Sequence, residues 1–354
     1  MFFVKTNFNF FKKIISLVFV FFLMAVVPLI SFLSIFILKK QLNYNYLSKN
    51  HKDKKEYCCE ENEIIEEATI DKENICSIYD KKTNKIIKVD KSTFLQSILA
   101  AEMPANYEKE ALKALVVAIN SYYHYKLKEL KNSNKGKNFT VNDGSTLYYM
   151  SEGEKRNRWG TNYEKYRDKF KNAVEEVNNE ILLDKEKNPI LAMFHATSSG
   201  TTNSAADVLG RNIPYLERID SQGDMFAPNY IRTIEIDKKF FKNKLEKYLK
   251  IKLKENEIKQ IKTSSAENKF VKYVQIGKNK IEGKKFQILF AIPSPNYEIL
   301  QETNKIIIKI YGNGHGVGLS QNGANYLAKQ KMNYEKILQY YYPNTTLVRN
   351  SGKR

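Results

Sequence analysis

A glycine-rich stretch around residue 315 carries the residue types best suited to chemistry in this 354-residue chain. Glycines occupy positions 312, 314, 316 and 318 around His315, and Ser320 and Gln321 follow. Glycine adopts positive φ angles and lets other groups approach the backbone, but it loses more entropy on folding than other residues. This spacing therefore predicts a loop that holds its backbone and one imidazole against another group.

Two other interpretations of the glycine stretch stay open at this point. Residues 305–310 have the pattern of a strand and residues 324–340 that of a helix, and such a loop can bind phosphate. No register gives G-x-G-x-x-G, and Ala324 stands where a P-loop has lysine. The other interpretation is a tight turn around a core histidine.

Glu102 is a candidate general acid. Residues 93–102 have a helical pattern, and Pro104 disfavours α geometry at Met103, so the helix is predicted to end near Glu102. Apolar neighbours and the negative end of the helix dipole both disfavour a carboxylate, so we expect a raised pKa. An acid that stays protonated near neutral pH is what a glycosidic leaving group requires. The alternative is an exposed terminal glutamate.

A second candidate site follows a strand predicted at residues 189–194. His195 comes directly after this strand, and Thr197 and Ser198 follow shortly, as is typical of a site loop. These side chains could bind substrate or position an acid, although His195 could equally be a core residue. Ser198 lacks the G-x-S-x-G context of a hydrolase nucleophile, and His195 with His315 supplies too few ligands for a metal site.

The elements around these residues indicate an α+β fold. Helices are predicted over residues 93–102, 104–130, 170–177 and 240–253. Further strands are predicted over residues 271–276 and 286–290. Residues 145–160 are predicted to form a loop that contains the only tryptophan, Trp159.

The N-terminal part of the chain predicts a membrane anchor. Residues 14–38 hold 25 uncharged positions, and as a helix they would reach roughly 37 Å, enough to cross a hydrocarbon core of about 30 Å. This segment is longer than the apolar core of a cleavable signal peptide. We therefore expect a cytoplasmic tail at 1–13, an uncleaved anchor at 14–38, a charged stalk at 39–75 and an extracytoplasmic domain at 76–350.

The net charge of +19 suits an anionic partner, such as a cell-wall polymer or a membrane surface, although biased base composition also produces lysine excess. Nucleic acid is a poor candidate, because an exported domain would not meet it. Cys58, Cys59 and Cys76 form neither a disulfide framework nor a metal-binding spacing. We therefore expect a domain held together by core packing, without a metal or other cofactor.

Three motifs resemble the stage II sporulation protein D (SpoIID) family. Residues 94–104 end in E-M-P, and residues 110–118 are similar to the E-A-L-K-A-Q-A-V-A-A-R helix that follows it there. Residues 194–202 resemble the family's F-H-S-T-S-G-G loop, and residues 314–324 resemble its G-H-G-V-G-M-S-Q-x-G-A signature. The departures from these patterns are Leu115, Asn120 and Ser199.

The resemblance implies a membrane-anchored lytic transglycosylase that cuts peptidoglycan during engulfment of the forespore. Its substrate would be glycan strands that a partner amidase, SpoIIP, has stripped of peptides. The catalytic domain would lie between the septal membranes, attached to the mother-cell membrane. Some relatives hold zinc through cysteines and histidines around the second loop, but this chain has no cysteine there, so the metal is not carried over.

The resemblance also implies residue roles. The E-M-P glutamate corresponds to Glu102, which would be the catalytic acid. The bond between MurNAc and GlcNAc would be cut to leave 1,6-anhydro ends, and one carboxylate would suffice for this reaction. The candidate substrate-binding residues are His195, Thr197, Ser198, His315, Ser320 and Gln321. Candidates for a second carboxylate are Asp207 and Asp220, and candidates for sugar stacking or core packing are Tyr148, Tyr149 and Trp159. An alternative function is a non-catalytic glycan-binding scaffold, or an enhancer of a cell-wall amidase.

Overall fold

Apolar side chains collect into two cores in the computed structural model, which describes residues 75–133, 138–144 and 147–349. The first core draws on two stretches of chain, residues 76–216 and 317–342. The second core is built by the stretch between them, residues 241–310. We call the parts around these cores the first lobe and the second lobe. The chain thus leaves the first lobe, builds the second and returns through the glycine stretch.

The elements alternate irregularly along the chain, which confirms the α+β class. The strands are β1 (Ile75–Asp80), β2 (Lys85–Asp90), β3 (Phe139–Val141), β4 (Glu180–Leu183), β5 (Phe194–His195), β6 (Ile231–Asp237), β7 (Lys262–Ser265), β8 (Val271–Ile276), β9 (Asn279–Glu282), β10 (Tyr297–Gln301), β11 (Lys305–Tyr311), β12 (Leu319–Ser320) and β13 (Thr346–Arg349). The helices are α1 (Lys91–Glu102), α2 (Lys109–Ser133), α3 (Glu152–Trp159), α4 (Tyr163–Val177), α5 (Ala205–Leu209), α6 (Lys238–Leu249), α7 (Glu255–Lys259), α8 (Gly283–Leu289), α9 (Gln321–Lys329) and α10 (Tyr334–Tyr341). Short 3-10 helices lie at Gly160–Asn162 and Gln222–Phe226.

Small sheets flank the helices in both lobes. In the first lobe, β1 pairs antiparallel with β2 and parallel with β3, and β13 pairs antiparallel with β4. In the second lobe, β11 lies between β10 and β6, and β8 lies between β7 and β9, all antiparallel. The short strands β5 and β12 pair in parallel and place His195 opposite Ser320. This last pairing brings the two loops predicted from the sequence together.

Helix α1 ends where the sequence predicts. Asp90 caps its start by accepting a hydrogen bond from the Thr93 N–H at 2.8 Å. Met103 is extended, with φ −109° and ψ 142°, as expected for a residue before proline. Apolar residues of α1 such as Phe94 and Ile98 are fully buried against the first core. Glu102 is therefore held at the end of a well-packed helix.

Several predicted boundaries differ from the structure. Helix α2 begins at Lys109 rather than after Pro104, because residues 104–108 form a turn closed by the Tyr107 N–H donating to the Pro104 carbonyl. Residues 152–159 are helical rather than a loop, and the capping box of Ser151 and Glu154 starts this helix.

Two further predictions of regular structure were wrong. Residues 286–290 were expected as a strand but belong to α8 and its C-cap: Phe286 and Phe290, four apart, are both buried, whereas Ile288 between them is 56% exposed. Residues 189–194 do not form a strand as far as Met193. Their backbone turns instead, with the N–H groups of Ala192 and Met193 bonded two residues back.

The predicted bounds of two further helices, one in each lobe, differ from the structure. The helix predicted at 240–253 ends at Leu249, since Lys250 adopts φ +57°. The one expected over 324–340 is two helices, α9 and α10, separated by residues 330–333. Asn333 caps the second of these by accepting from the Lys336 N–H at 3.1 Å.

The predicted anchor at 14–38 and most of the stalk lie outside the described residues. Among the helices of residues 75–133, 138–144 and 147–349, none is both long and apolar enough to span a bilayer.

Candidate functional site

The Glu102 carboxyl lies half-buried at the end of α1, beside the start of α9. The Gln321 side chain and the Tyr148 backbone N–H donate hydrogen bonds to it. Burial raises the pKa of Glu102 above its ordinary value of 4.5, while those two hydrogen bonds and the charge of Arg158 act to lower it. The acid form therefore persists to higher pH than in an exposed glutamate.

Arg158 is a residue of this site that the sequence did not single out. Its guanidinium donates to the carbonyls of Ala100 and Ala101 at 2.9 and 3.1 Å and so satisfies the open C-terminal end of α1. It extends from α3, the helix that had been expected as a loop. The missed signal is the capping box at Ser151 and Glu154, which would have placed Arg158 on a helix.

The glycine loop, residues 312–318, packs against residues 193–203, which we call the histidine loop. A Cβ added at Gly312 would lie 2.5 Å from the Thr197 carbonyl oxygen, and one added at Gly318 would lie 2.0 Å from that of Met193. Both glycines have positive φ, +72° and +73°. The close approach predicted from the glycine spacing is therefore made to another segment of this chain.

The two loop histidines lie side by side beneath this contact, with ring centroids 5.8 Å apart. His195 Nδ1 donates to the Val317 carbonyl at 3.1 Å, and the Val317 N–H donates to His315 Nδ1 at 3.0 Å. Burial lowers the pKa of His195 to about 4 and that of His315 to about 3. Both rings are therefore neutral near pH 7. The His195 bond joins the histidine loop to the glycine loop, whereas the bond between Val317 and His315 lies within the glycine loop.

Asn322, in the first turn of α9, joins three segments at the edge of the site. Its Nδ2 donates to the Ala196 carbonyl at 2.9 Å and to Thr197 Oγ1 at 2.6 Å. The Tyr107 hydroxyl donates to its Oδ1 at 2.5 Å. Ser320 caps the helix by accepting from the Gly323 N–H, so Gln321 and Asn322 occupy its first two positions. That cap is the sequence signal that could have identified Asn322.

Asp224 is the buried carboxyl that sequence reasoning missed. It is fully buried in the 3-10 helix Gln222–Phe226, and its two oxygens accept from different loops. The Ser198 N–H donates to Oδ2 at 2.9 Å, and the Ser320 hydroxyl donates to Oδ1 at 2.6 Å. Burial raises its pKa above the ordinary 3.8, against the lowering effect of these bonds. No pattern around Asp224 distinguishes it in the sequence.

The other candidate carboxylates are engaged elsewhere. Asp207 completes a capping box with Ser204 and forms a two-bond ion pair with Arg218, with both distances 3.0 Å. Asp220 is exposed and accepts from the Gln222 side chain at 3.0 Å. Neither is among the groups that shift the pKa of Glu102.

The candidate aromatic residues divide between core and surface. Trp159 is buried against Tyr163, Tyr166 and Phe170 of α4, so the core-packing alternative describes it. Tyr148 is 37% exposed, and its hydroxyl donates to Glu154 at 2.6 Å. Tyr149 is half-buried.

The candidate substrate-binding residues differ in how far they reach the surface. His315 is half-buried. Those that are at most 6% exposed are Ser320, Ser198, His195, Gln321 and Thr197. Ser198 and Ser320 use their polar groups within the protein, on Asp224 and Gly200 or Gly323, whereas the Gln321 side chain faces Glu102.

The donor set beside the histidine loop does not fit zinc. His195 and His315 each use Nδ1 on the Val317 backbone, and the only described cysteine, Cys76, lies in the first core. Across residues 75–133, 138–144 and 147–349, no three or more His, Cys, Asp or Glu side chains form a group able to hold a metal. The structure therefore provides no ligand set through which a zinc-dependent step could be derived.

Comparison with known proteins gives a consistent set of similarities. Residues 79–183 match the family model described as SpoIID: Stage II sporulation protein. Stage II sporulation protein D of Bacillus amyloliquefaciens is 28% identical over 267 residues, 75% of this chain and 76% of that protein. Its counterpart in Bacillus subtilis (strain 168) is 28% identical over 271 residues, 76% of this chain and 78% of that protein. The amidase enhancer of Bacillus subtilis (strain 168) is 24% identical over 307 residues, 72% of this chain and 40% of that protein.

Proposed function

The chain belongs to the stage II sporulation protein D family, and on that premise we propose that it is a membrane-anchored lytic transglycosylase of engulfment in sporulation. Its substrate is peptide-free peptidoglycan, cut between MurNAc and GlcNAc. The observation that carries this proposal is the half-buried Glu102 carboxyl, with its raised pKa, held by Gln321 from the glycine loop's own helix.

The proposed reaction uses Glu102 twice. The protonated carboxyl donates its proton to the glycosidic oxygen as the bond from muramic C1 to that oxygen breaks. The oxocarbenium-like charge is stabilised by the sugar's own acetamido group. Glu102, now a carboxylate, accepts the proton of the muramic C6 hydroxyl while O6 bonds to C1 and closes the 1,6-anhydro ring. The proton balance closes without water or a second carboxylate, unlike ordinary hydrolysis.

The neighbouring residues divide into two proposed roles. We propose that Gln321, Thr197 and His315 contact sugar: Gln321 bonds the Glu102 carboxyl, Thr197 bridges to Asn313 of the glycine loop, and His315 is half-buried. His195, Ser198 and Ser320 use their hydrogen bonds inside the protein, and we propose that they position the loops through Val317 and Asp224.

The test is a digest of peptide-free glycan strands by the purified chain in detergent, read by mass spectrometry. We expect 1,6-anhydro-muramic ends from the wild type and none from Glu102→Gln. Glu108→Gln changes an exposed glutamate six positions along and is the matched control, expected to cut normally. Reducing ends from the wild type would mean hydrolysis. Equal cutting by Glu102→Gln would remove Glu102 from the reaction.

A second candidate function is an amidase-activating glycan scaffold, which the similarity to the amidase enhancer favours. The partner would be the amidase SpoIIP or another engulfment protein. A scaffold would retain its effect on the amidase when Glu102 becomes glutamine, and an assay with that amidase on intact peptidoglycan would separate the two functions.

The proposed location is the mother-cell membrane, with the described lobes outside the cytoplasm. This proposal depends on the predicted anchor at residues 14–38. Protease accessibility of the lobes in intact spheroplasts would test the orientation, since cytoplasmic lobes would stay protected.

A further inference from the structure

Phe226 is the most exposed large apolar side chain of the described residues, 73% open to solvent. Its ring stacks on Tyr326 of α9, with centroids 5.6 Å apart and planes 13° apart. One face of Phe226 is therefore supported and the other is free. A flat aromatic face fixed in this way offers its π surface to a ligand at little cost in side-chain entropy.

The stack is rigidly connected to the proposed active site. Gly223 packs so tightly on Tyr326 that an added Cβ would lie 2.4 Å from Cγ of that ring. Asp224 follows Gly223 and lies in the same 3-10 helix as Phe226. It accepts the hydrogen bonds from Ser198 and Ser320 described above. The aromatic pair thus moves with the loops that hold Gln321.

Tyr326 also lines a pocket of about 210 Å³. Asp220, Gln222 and Tyr340 line it together with Tyr326. The Gln222 amide donates to the Asp220 carboxylate at 3.0 Å, and the Tyr340 hydroxyl donates to the Asp220 carbonyl at 2.5 Å. The rim thus combines aromatic rings with a carboxylate and an amide that still has free hydrogen-bonding capacity.

We propose that Phe226, Tyr326 and this pocket form a second sugar-binding subsite on the same glycan strand that Glu102 cuts. The inference rests on the proposed function for the identity of the strand. Helix α9 links the two places: Gln321 at its start bonds Glu102, and Tyr326 lies five residues on, roughly 7.5 Å along the axis. Five residues of helix also turn roughly 140° about the axis, so in the proposed arrangement the strand runs from Glu102 around α9 to the free face of Phe226.

The charge at the rim selects the kind of sugar. Muramic acid carries a lactyl carboxylate, and the exposed Asp220 carboxylate repels it. An N-acetylglucosamine ring is neutral, and its hydroxyl and acetamido groups can donate to Asp220 and accept from Gln222. The subsite therefore takes N-acetylglucosamine, which fixes the register of the alternating strand relative to Glu102.

The test measures binding of chitin oligosaccharides of increasing length to the full chain by calorimetry. All proteins carry Glu102→Gln, so that no substrate is cut. We expect Phe226→Ala to weaken binding of the longer oligosaccharides about tenfold, with no effect on those too short to reach the subsite. Phe240→Ala is the matched control, because Phe240 is 57% exposed but lies on α6 of the second lobe. Unchanged affinity in Phe226→Ala, or an equal loss in Phe240→Ala, would overturn the proposal.

A second variant tests the sugar preference. Asp220→Asn removes the rim charge and should strengthen binding of peptide-free glycan strands at least twofold while leaving chitin oligosaccharides within twofold. An equal change for both ligands would contradict the selection of N-acetylglucosamine. These results are independent of turnover. Absence of 1,6-anhydro ends in the digest would overturn the proposed reaction, while Phe226-dependent chitin binding would still support the subsite.

Discussion

At the scale of single residues, the Glu102 carboxyl is balanced between burial and its neighbours. Burial raises its pKa, and Gln321, the Tyr148 N–H and Arg158 each lower it. A general acid must be protonated, so the proposed activity is lost as pH rises through the Glu102 pKa. The pH at which activity falls on the basic side of the pH profile, the basic limb, therefore reports how its neighbours shift the pKa of Glu102.

Arg158→Ala should move the basic limb to higher pH. Removing the guanidinium removes a positive charge that favours the carboxylate. The pKa of Glu102 therefore rises further, and the protonated form persists to higher pH. The pH profile of kcat/KM for strand cleavage measures the change. Arg156→Ala lies on the same helix with its side chain over the Tyr163 ring and should leave the limb in place. A basic limb that stays at the same pH or moves to lower pH in Arg158→Ala would contradict Glu102 as the general acid whose pKa Arg158 lowers.

Asp224 is predicted to make the free energy of unfolding depend on pH, in addition to joining two loops by hydrogen bonds. Asp224→Ala leaves the Ser198 N–H and the Ser320 hydroxyl without their acceptor, at a cost of about 3 kcal/mol, and Asp224→Asn should cost less. Because the folded pKa is raised above 3.8, the carboxyl contributes its full stability below that value and loses it as pH rises through the folded pKa.

Urea unfolding of wild type and Asp224→Asn across a range of pH measures this effect. The stability advantage of the wild type over the variant should shrink as pH rises, while exposed Asp220→Asn should show no such trend. An advantage that grows with pH would mean that the Asp224 carboxylate is better stabilised in the folded protein than its burial implies.

At the scale of elements, the glycine loop depends on two close backbone approaches. Gly318→Ala would set a Cβ 2.0 Å from the Met193 carbonyl oxygen at φ +73°, so one loop must shift, and we expect a loss of about 3 kcal/mol or more. Gly210→Ala, at φ +70° with open space around it, should cost only about 1 kcal/mol for its backbone angle. Urea unfolding followed by Trp159 fluorescence compares them. Equal losses would show that the packing contact contributes nothing.

The sequence was most informative where an element carries its own local signals. Pro104 located the end of helix α1 correctly, and the alternating glycines located the glycine loop. Helix α8 was read as a strand, because a short apolar run fits either period until its burial is known. Asp224 and Asn322 were missed, since their partners come from distant loops and no local pattern records such contacts.

At the scale of the whole molecule, the two lobes share one loop. Strand β11 ends the second lobe at Tyr311, and the glycine loop that starts at the next residue packs on the first. Asn203 of the histidine loop also exchanges side-chain hydrogen bonds with Asn268 and Asn296 of the second lobe, at 2.8 to 3.0 Å. The second lobe therefore supports the histidine loop and the glycine loop that packs on it.

Phe286→Ala should loosen the second lobe while leaving the first core intact. Phe286 is fully buried against Phe241 and Phe290, so its removal should cost about 3 to 5 kcal/mol there. Hydrogen exchange should quicken across β6 to β11, whereas the Trp159 fluorescence transition in urea should shift less than in Phe170→Ala, which removes a first-core neighbour of that tryptophan. An equal shift in both variants would mean that the lobes unfold as one cooperative unit.

The contact between Glu102 and Gln321 also sets an order of events during synthesis. The two residues are 219 positions apart (321 − 102), with the whole second lobe between them. At 5 to 20 residues per second, the ribosome adds Gln321 roughly 10 to 40 seconds after Glu102. Throughout that interval the nascent chain contains Glu102 but not the Gln321 side chain that donates a hydrogen bond to it. The proposed site is therefore complete only when the glycine loop and α9 have been made.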